Sequence, residues 1–128
     1  RAVNRQVYKD AEEQGTFCNV VDCPELCSFQ VPATVQRGQL QVAISTHGAC
    51  PLLSRRLRQG LEKQFGPEYG PLLDGLRELR EYLKRTCDDE AERRRRLKEF
   101  MDSGAPELLL EDGDEEGFRR RLRDWMEE

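Results

Sequence analysis

The sequence predicts a mixed α+β fold: the second half of a β-α-β unit, then a β-hairpin, then an all-α C-terminal part. Three observations carry this prediction. A helical apolar stripe runs through a glycine into the β-branched segment Phe17–Val21. Two extended segments flank Arg37-Gly38. From Pro51 onward, apolar residues recur every three or four positions, the spacing of helix faces.

Val3, Val7, Tyr8 and Ala11 fall on one face of a first helix, and Gly15 suits its C-terminal stop. Phe17–Val21 then reads as a buried strand ending on the carboxylate of Asp22, with Cys18 turned into the core. Open α/β sheets bind ligands beyond the carboxyl ends of their strands, so Asp22 becomes a candidate site residue. The chain turns from Asp22 to Cys27 with Pro24 as punctuation. Residues 28–45 read as a hairpin, Pro32 at an edge and Arg37-Gly38 at the turn. An isolated hairpin is marginal in water, so a second subunit is expected to cover it.

Pro51 suits a first helical position, and Leu53, Leu57, Leu61 and Phe65 extend that helix to Gly66-Pro67. Leu72, Leu76, Leu79 and Leu83 stripe the next helix, which ends near Thr86. Another spans about 89–101 with acidic residues in its first turn. The segment Ser103-Gly104-Ala105-Pro106 breaks it, residues 111–117 read as an acidic loop, and Phe118, Leu122, Trp125 and Met126 stripe a last helix.

The bulk numbers narrow the function. The net charge is −4, which argues against a nucleic-acid binder. Residues 1–87 hold 12 Lys/Arg against 10 Asp/Glu, and residues 88–128 hold 9 against 15, so the halves carry +2 and −6. An anionic ligand belongs on the first part. No apolar run approaches the roughly 18 residues of a membrane span. Five cysteines, an odd number, without a signal peptide read as reduced thiols in the cytoplasm. The chain starts without Met, directly in a helical pattern, and so reads as a fragment with an upstream part.

Several residues can carry chemistry. Asp22 can act as a general base, or it can simply cap the turn before Pro24. Ser45, Thr46, His47 and Gly48 form a small-residue loop before a helix N-terminus, where unpaired N–H groups face an anion. Arg55, Arg56 and Arg58 follow in the first two turns and can grip carboxylates, or they can form a solvated basic face. His47, the only histidine, can ligate a metal or shuttle a proton, though a loop histidine is more often solvated. Cys18, Cys23 and Cys27 lack the paired C-x2-C spacing of a zinc site, so no metal site is predicted. Arg93–Arg96 is interleaved with carboxylates at i,i+4 and reads as a solvated helix face. The dinucleotide fingerprint G-x-G-x-x-G is absent from all 128 residues, so no cofactor-binding residue is assigned here.

The run C-N-V-V-D-x-P-E-L-C-x-F, followed by V-P-A-x-V-x-R-G-x-L-x-V-A-I-S-T-x-G-A-x-P-x-L-x-R-x-L-R, closely resembles the precorrin-2 dehydrogenase / sirohydrochlorin ferrochelatase family. That family comprises the N-terminal module of siroheme synthase and its stand-alone relatives. The resemblance spans residues 2–85, is dense from 17 to 61, and is loose over 88–128. It implies the end of a Rossmann α/β domain at 1–27, a homodimerisation segment of hairpin plus helix at 28–66, and a helical domain at 67–128. It also implies NAD-dependent oxidation of precorrin-2 to sirohydrochlorin, with NAD held by an upstream part. In some members Fe²⁺ is then inserted.

The resemblance makes Asp22 the catalytic residue. It places Asn19, Ser45, Thr46, His47, Gly48, Arg55 and Arg56 at the tetrapyrrole, with the helix N-terminal amides after Gly48 and the cluster Arg55, Arg56, Arg58 as anchors for its carboxylates. The family loop usually reads S-T-G-G-A-S-P, so His47 replaces a glycine here and Cys50 replaces a serine. A second expectation is a dimerisation and helical scaffold without catalysis, motivated by the missing glycine motif.

Overall fold

The computed structural model describes residues 2–127. These residues form a mixed α+β chain with a two-stranded antiparallel sheet and a largely helical C-terminal part. The elements are α1 (Ala2–Glu13), a 3-10 turn (Pro24–Leu26), β1 (Ala33–Arg37), β2 (Leu40–Ile44), α2 (Pro51–Gln64), α3 (Tyr69–Thr86), α4 (Glu90–Met101), α5 (Ala105–Leu110) and α6 (Glu115–Glu127). They fall into two compact units. The first holds residues up to 35 and residues 42–62; the second holds residues 36–41 and those from 63 onward.

In the first unit α1 ends as its glycine predicts. Gly15 has φ +62°, Thr16 N–H reaches Ala11 O at 2.9 Å, and Gly15 N–H reaches Glu12 O at 3.1 Å. That pair of bonds is a Schellman cap, which glycine takes without a Cβ penalty. The expected strand Phe17–Val21 does not form, and this corrects the sequence reading. Residues 17–20 have no regular structure and Val21 already belongs to a turn, since a strand exists only through a ladder to a neighbour. The segment's backbone–backbone bonds are loop bonds, Ser28 N–H to Cys18 O at 2.8 Å and Cys23 N–H to Val20 O at 3.2 Å, and they form no ladder. Phe17 and Val21 stay 83% and 78% exposed, and Cys18 alone of the run is buried, as its alternation predicts.

The hairpin forms over a shorter range than 28–45, and its loop is Gly38-Gln39, one residue later than expected. Gly38 has φ +57° at the first central position, where primed hairpin turns favour glycine. The tip belongs to the second unit. There a Cβ on Gly38 would sit 3.0 Å from Gly70 Cα, and Arg37 Nε donates to Phe65 O at 2.8 Å.

The second unit holds the helical core. Leu72, Leu79 and Leu83 of α3 pack with Phe100 of α4, Leu109 of α5, and Phe118 and Leu122 of α6. The Phe100 ring meets Phe118 and Trp125 edge-on, with centroids 6.3 and 5.8 Å apart. Helix α4 buries only Phe100. Its outer face is laced by Arg94–Glu90, Arg95–Glu92 and Arg95–Glu99 pairs, the solvated face the sequence implies. The hydrogen bond from Arg95 holds the Glu92 carboxyl below the usual carboxylate range.

Two differences from the sequence reading appear here. Pro106 does not only break α4; it stands in the first turn of α5, where its missing N–H costs nothing. Residues 115–117 are helical, because Asp114 caps α6 by accepting the Gly117 N–H at 2.8 Å and Glu115 and Glu116 suit the first turn.

Gly75 lets α6 approach α3. A Cβ there would lie 2.7 Å from two ring atoms of the fully buried Phe118 and 3.2 Å from Leu122. Alanine gains roughly 1 kcal/mol of helix propensity over glycine. Overpacking a closed core costs about 1–3 kcal/mol. Gly75→Ala is therefore expected to lower the urea midpoint; an unchanged or higher midpoint would mean that the Phe118 ring moves freely.

Candidate functional site

The site lies wholly within the first unit. It is an open cleft of about 460 Å³ with one wall from residues 19–33 and the other from 44–58. Asn19, Asp22, Ser45, Thr46, Gly48 and Arg55 all line it. His47 and Arg56 do not, whereas Arg58 does. Helix geometry explains that exchange. Pro51, Ser54, Arg55 and Arg58 share one face at i, i+3, i+4, i+7, and Arg56 is turned about 100° away. The same periodicity, applied to the three arginines singled out in the sequence, separates Arg55 and Arg58 from Arg56.

Asp22 sits in a β-turn. Cys23 N–H donates to Val20 O at 3.2 Å, and Asp22, the third residue of the turn, has φ +59°. That left-handed conformation belongs to glycine and costs other residues about 1–2 kcal/mol, less for Asp and Asn. The turn continues into the 3-10 segment through Leu26 N–H to Cys23 O at 2.9 Å. Asn19 spends one amide hydrogen on Phe29 O at 2.9 Å, which ties the start of the motif to the far side of the loop.

The opposite wall begins at the loop before α2. Thr46 Oγ1 accepts the Cys50 N–H at 3.2 Å and the Ser54 hydroxyl at 3.2 Å, so Thr46 organises the helix start. Ser45 Oγ accepts the His47 N–H at 3.1 Å. Arg58 forms an ion pair with Glu62. Arg55 has no hydrogen bond or ion pair among the described residues, so its guanidinium is the one available to an incoming anion. All five cysteines are free thiols. Among the described residues no group of three His, Cys, Asp or Glu side chains is placed to hold a metal ion. No described helix is long and apolar enough to cross a membrane.

This geometry defines a class: an α+β module that presents a strained carboxylate and an unpaired arginine across an open cleft. Comparison with known proteins gives the family. Residues 1–33 match the family described as putative NAD(P)-binding, and residues 37–64 match sirohaem biosynthesis protein central. The two walls of the cleft thus come from these two matched regions. Siroheme synthase of Methylococcus capsulatus is 37% identical over 119 residues, 93% of this chain and 25% of that protein. Siroheme synthase 1 of Aeromonas hydrophila is 45% identical over 92 residues, 72% of this chain and 20% of that protein. The solved structure of SirC, a precorrin-2 dehydrogenase, superposes with a TM-score of 0.61 at 28% identity, covering 76% of this chain and 47% of that one. The chain belongs to the siroheme synthase / precorrin-2 dehydrogenase family. It spans about a quarter of the length of the curated relatives it matches.

The residues present do not fit a whole NAD site. The glycine-rich turn that cradles a pyrophosphate is absent from the sequence, and no described strand runs into a helix through such a turn.

His47 has φ +50° where the family usually has glycine. Releasing a side chain from that conformation favours the folded state by about 1 kcal/mol. His47→Gly is expected to raise the thermal midpoint; a lower midpoint would show that the imidazole makes compensating contacts.

Proposed function

We propose that this chain forms the tetrapyrrole-handling part of a siroheme-biosynthesis enzyme that oxidises precorrin-2 to sirohydrochlorin with NAD⁺, with Asp22 as the general base. The carrying observation is the left-handed φ of Asp22 at the cleft. A residue held in a conformation suited to glycine, and lining a ligand-sized cleft, marks a functional constraint. Family membership and the likeness to SirC support the same reading.

The chemistry requires a proton acceptor. NAD⁺, held by a nucleotide-binding part outside these residues, supplies the hydride acceptor. A ring C–H or N–H proton of the tetrapyrrole passes to a carboxylate oxygen of Asp22. The substrate is a polycarboxylate, and Arg55 is the first anchor for it because its guanidinium is unpaired. Asn19, Ser45, Thr46 and Gly48 border the same cleft and contact the polar rim of the macrocycle. His47 and Arg56, expected beside the substrate, lie outside the lining. Fe²⁺ insertion, if the protein performs it, displaces pyrrole protons that the same carboxylate can take, with iron as substrate. The free thiols suit a reducing compartment, so the reading includes a cytoplasmic location.

In the full-length gene product, Asp22→Asn keeps shape and removes the base. It is expected to lower sirohydrochlorin formation by about 10²–10⁴-fold, the usual worth of a general base. Absorbance of the product checks this; a rate within twofold of wild type would overturn Asp22 as the base, whereas no turnover by the wild-type protein would favour the alternative of a non-catalytic scaffold.

The reading also includes a homodimer. Val31, Leu52, Leu53 and Leu57 of the first unit are 46–74% exposed, apolar surface that a partner subunit would cover. Sedimentation at micromolar concentration is expected to give the dimer mass; a monomer there would refute it.

A further inference from the structure

We propose that Cys27 is a positioning residue for Asp22: its thiol, aided by the adjacent Ser28, holds the left-handed turn that aims the carboxylate. The inference rests on the reading of Asp22 as the base. Cys27 Sγ accepts the Val20 N–H at 3.2 Å. Its S–H faces two acceptors, Val20 O and Cys23 O, each at 3.3 Å. Val20 stands two residues before Asp22 and Cys23 one residue after it, so a single sulfur atom brackets the carboxylate-bearing residue from both sides.

Ser28 fastens the entry to the same loop. Its Oγ accepts the Cys18 N–H at 2.7 Å and donates to Cys18 O at 3.1 Å. Its own N–H donates to Cys18 O at 2.8 Å. The loop from Cys18 to Ser28 is therefore tied at its base by Ser28 and at its tip by Cys27. Inside it, Asp22 is the one residue with φ in the left-handed region. A turn with Asp at that position does not hold itself there, because Asp has easier conformations available.

The thiol suits the task by size. Sulfur's longer bond and larger radius let one atom touch three backbone groups. A serine oxygen sits closer to the backbone and reaches fewer of them; alanine reaches none. Thiol hydrogen bonds are weak, so the clamp sets geometry more than it sets stability. Geometry is enough for a rate effect, since a misplacement of about 1 Å at a reacting group can cost on the order of 10²-fold. Cys27 itself lines the cleft, and its contacts reach Asp22 only through the backbone.

The test uses the full-length gene product with Cys27→Ala, Cys27→Ser and Asp22→Asn, reading kcat and KM for precorrin-2 together with amide hydrogen exchange at Val20. In Cys27→Ala, kcat is expected to fall at least about tenfold with KM changed less than twofold, and Val20 exchange is expected to quicken. Cys27→Ser, which keeps a donor and an acceptor on a shorter reach, is expected to turn over between alanine and wild type. Wild-type kcat in Cys27→Ala beside an inactive Asp22→Asn overturns the positioning role alone. Wild-type kcat in Asp22→Asn overturns the base assignment and the positioning role with it, so the two failures are told apart. Should Cys27→Ala not fold, Cys27→Ser decides: reduced kcat at unchanged KM supports the clamp, and wild-type kcat overturns it.

Discussion

A four-residue turn governs the cleft. Val20–Cys23 closes through one backbone hydrogen bond and leaves Asp22 at φ +59°, a conformation that glycine would take freely. The wall from 19 to 33 is arranged around that turn. The Asn19 amide, the Ser28 bonds to Cys18 and the Cys27 sulfur all converge on the loop that carries it. The opposite wall is built more simply. Thr46 organises the start of α2, and the helix then delivers Arg55 and Arg58 to the cleft by its own periodicity. One wall is thus strained and fastened, and the other follows from regular helix geometry.

The two units differ in how they bury apolar surface. The helical unit closes a core of leucine and phenylalanine around Gly75, where the absence of a Cβ admits Phe118. The first unit leaves Val3, Val7, Phe17, Val21 and Val31 more than half exposed. All five of these side chains fall within residues 1–33, the stretch that matches a nucleotide-binding family.

The sequence made the regular elements legible and left the irregular ones hidden, for physical reasons. Helix α2 announces itself through Pro51 and a leucine every fourth residue, and α3 through its 4-3-4 stripe, because side-chain period maps directly onto backbone period. Gly15 and Gly38 mark real left-handed positions for the same kind of local reason. Phe17–Val21 misled because β-branched composition states a preference, whereas a strand needs a neighbour to pair with. Helix α5 was hidden behind Pro106, which stops one helix and starts another. At the site, Asp22 was visible as a carboxylate after an apolar run and through the family motif. Its left-handed backbone was not visible, and neither was the Cys27 contact, since nothing local in C-x3-C says that a thiol folds back onto Val20. The separation of Arg55 and Arg58 from Arg56 was available in the spacing, and grouping three neighbouring arginines as one cluster concealed it.

The most direct measurement of the central claim is chemical rescue of Asp22→Gly in the full-length gene product. Glycine accepts the left-handed turn, so the loop keeps its course while the carboxylate is removed and an opening remains in the cleft. With Asp22 as the base, this variant folds, turns over precorrin-2 at a small fraction of the wild-type rate, and regains turnover in proportion to added formate or acetate. Wild-type turnover without added carboxylate, or a folded and inactive variant that no carboxylate revives, would contradict the assignment.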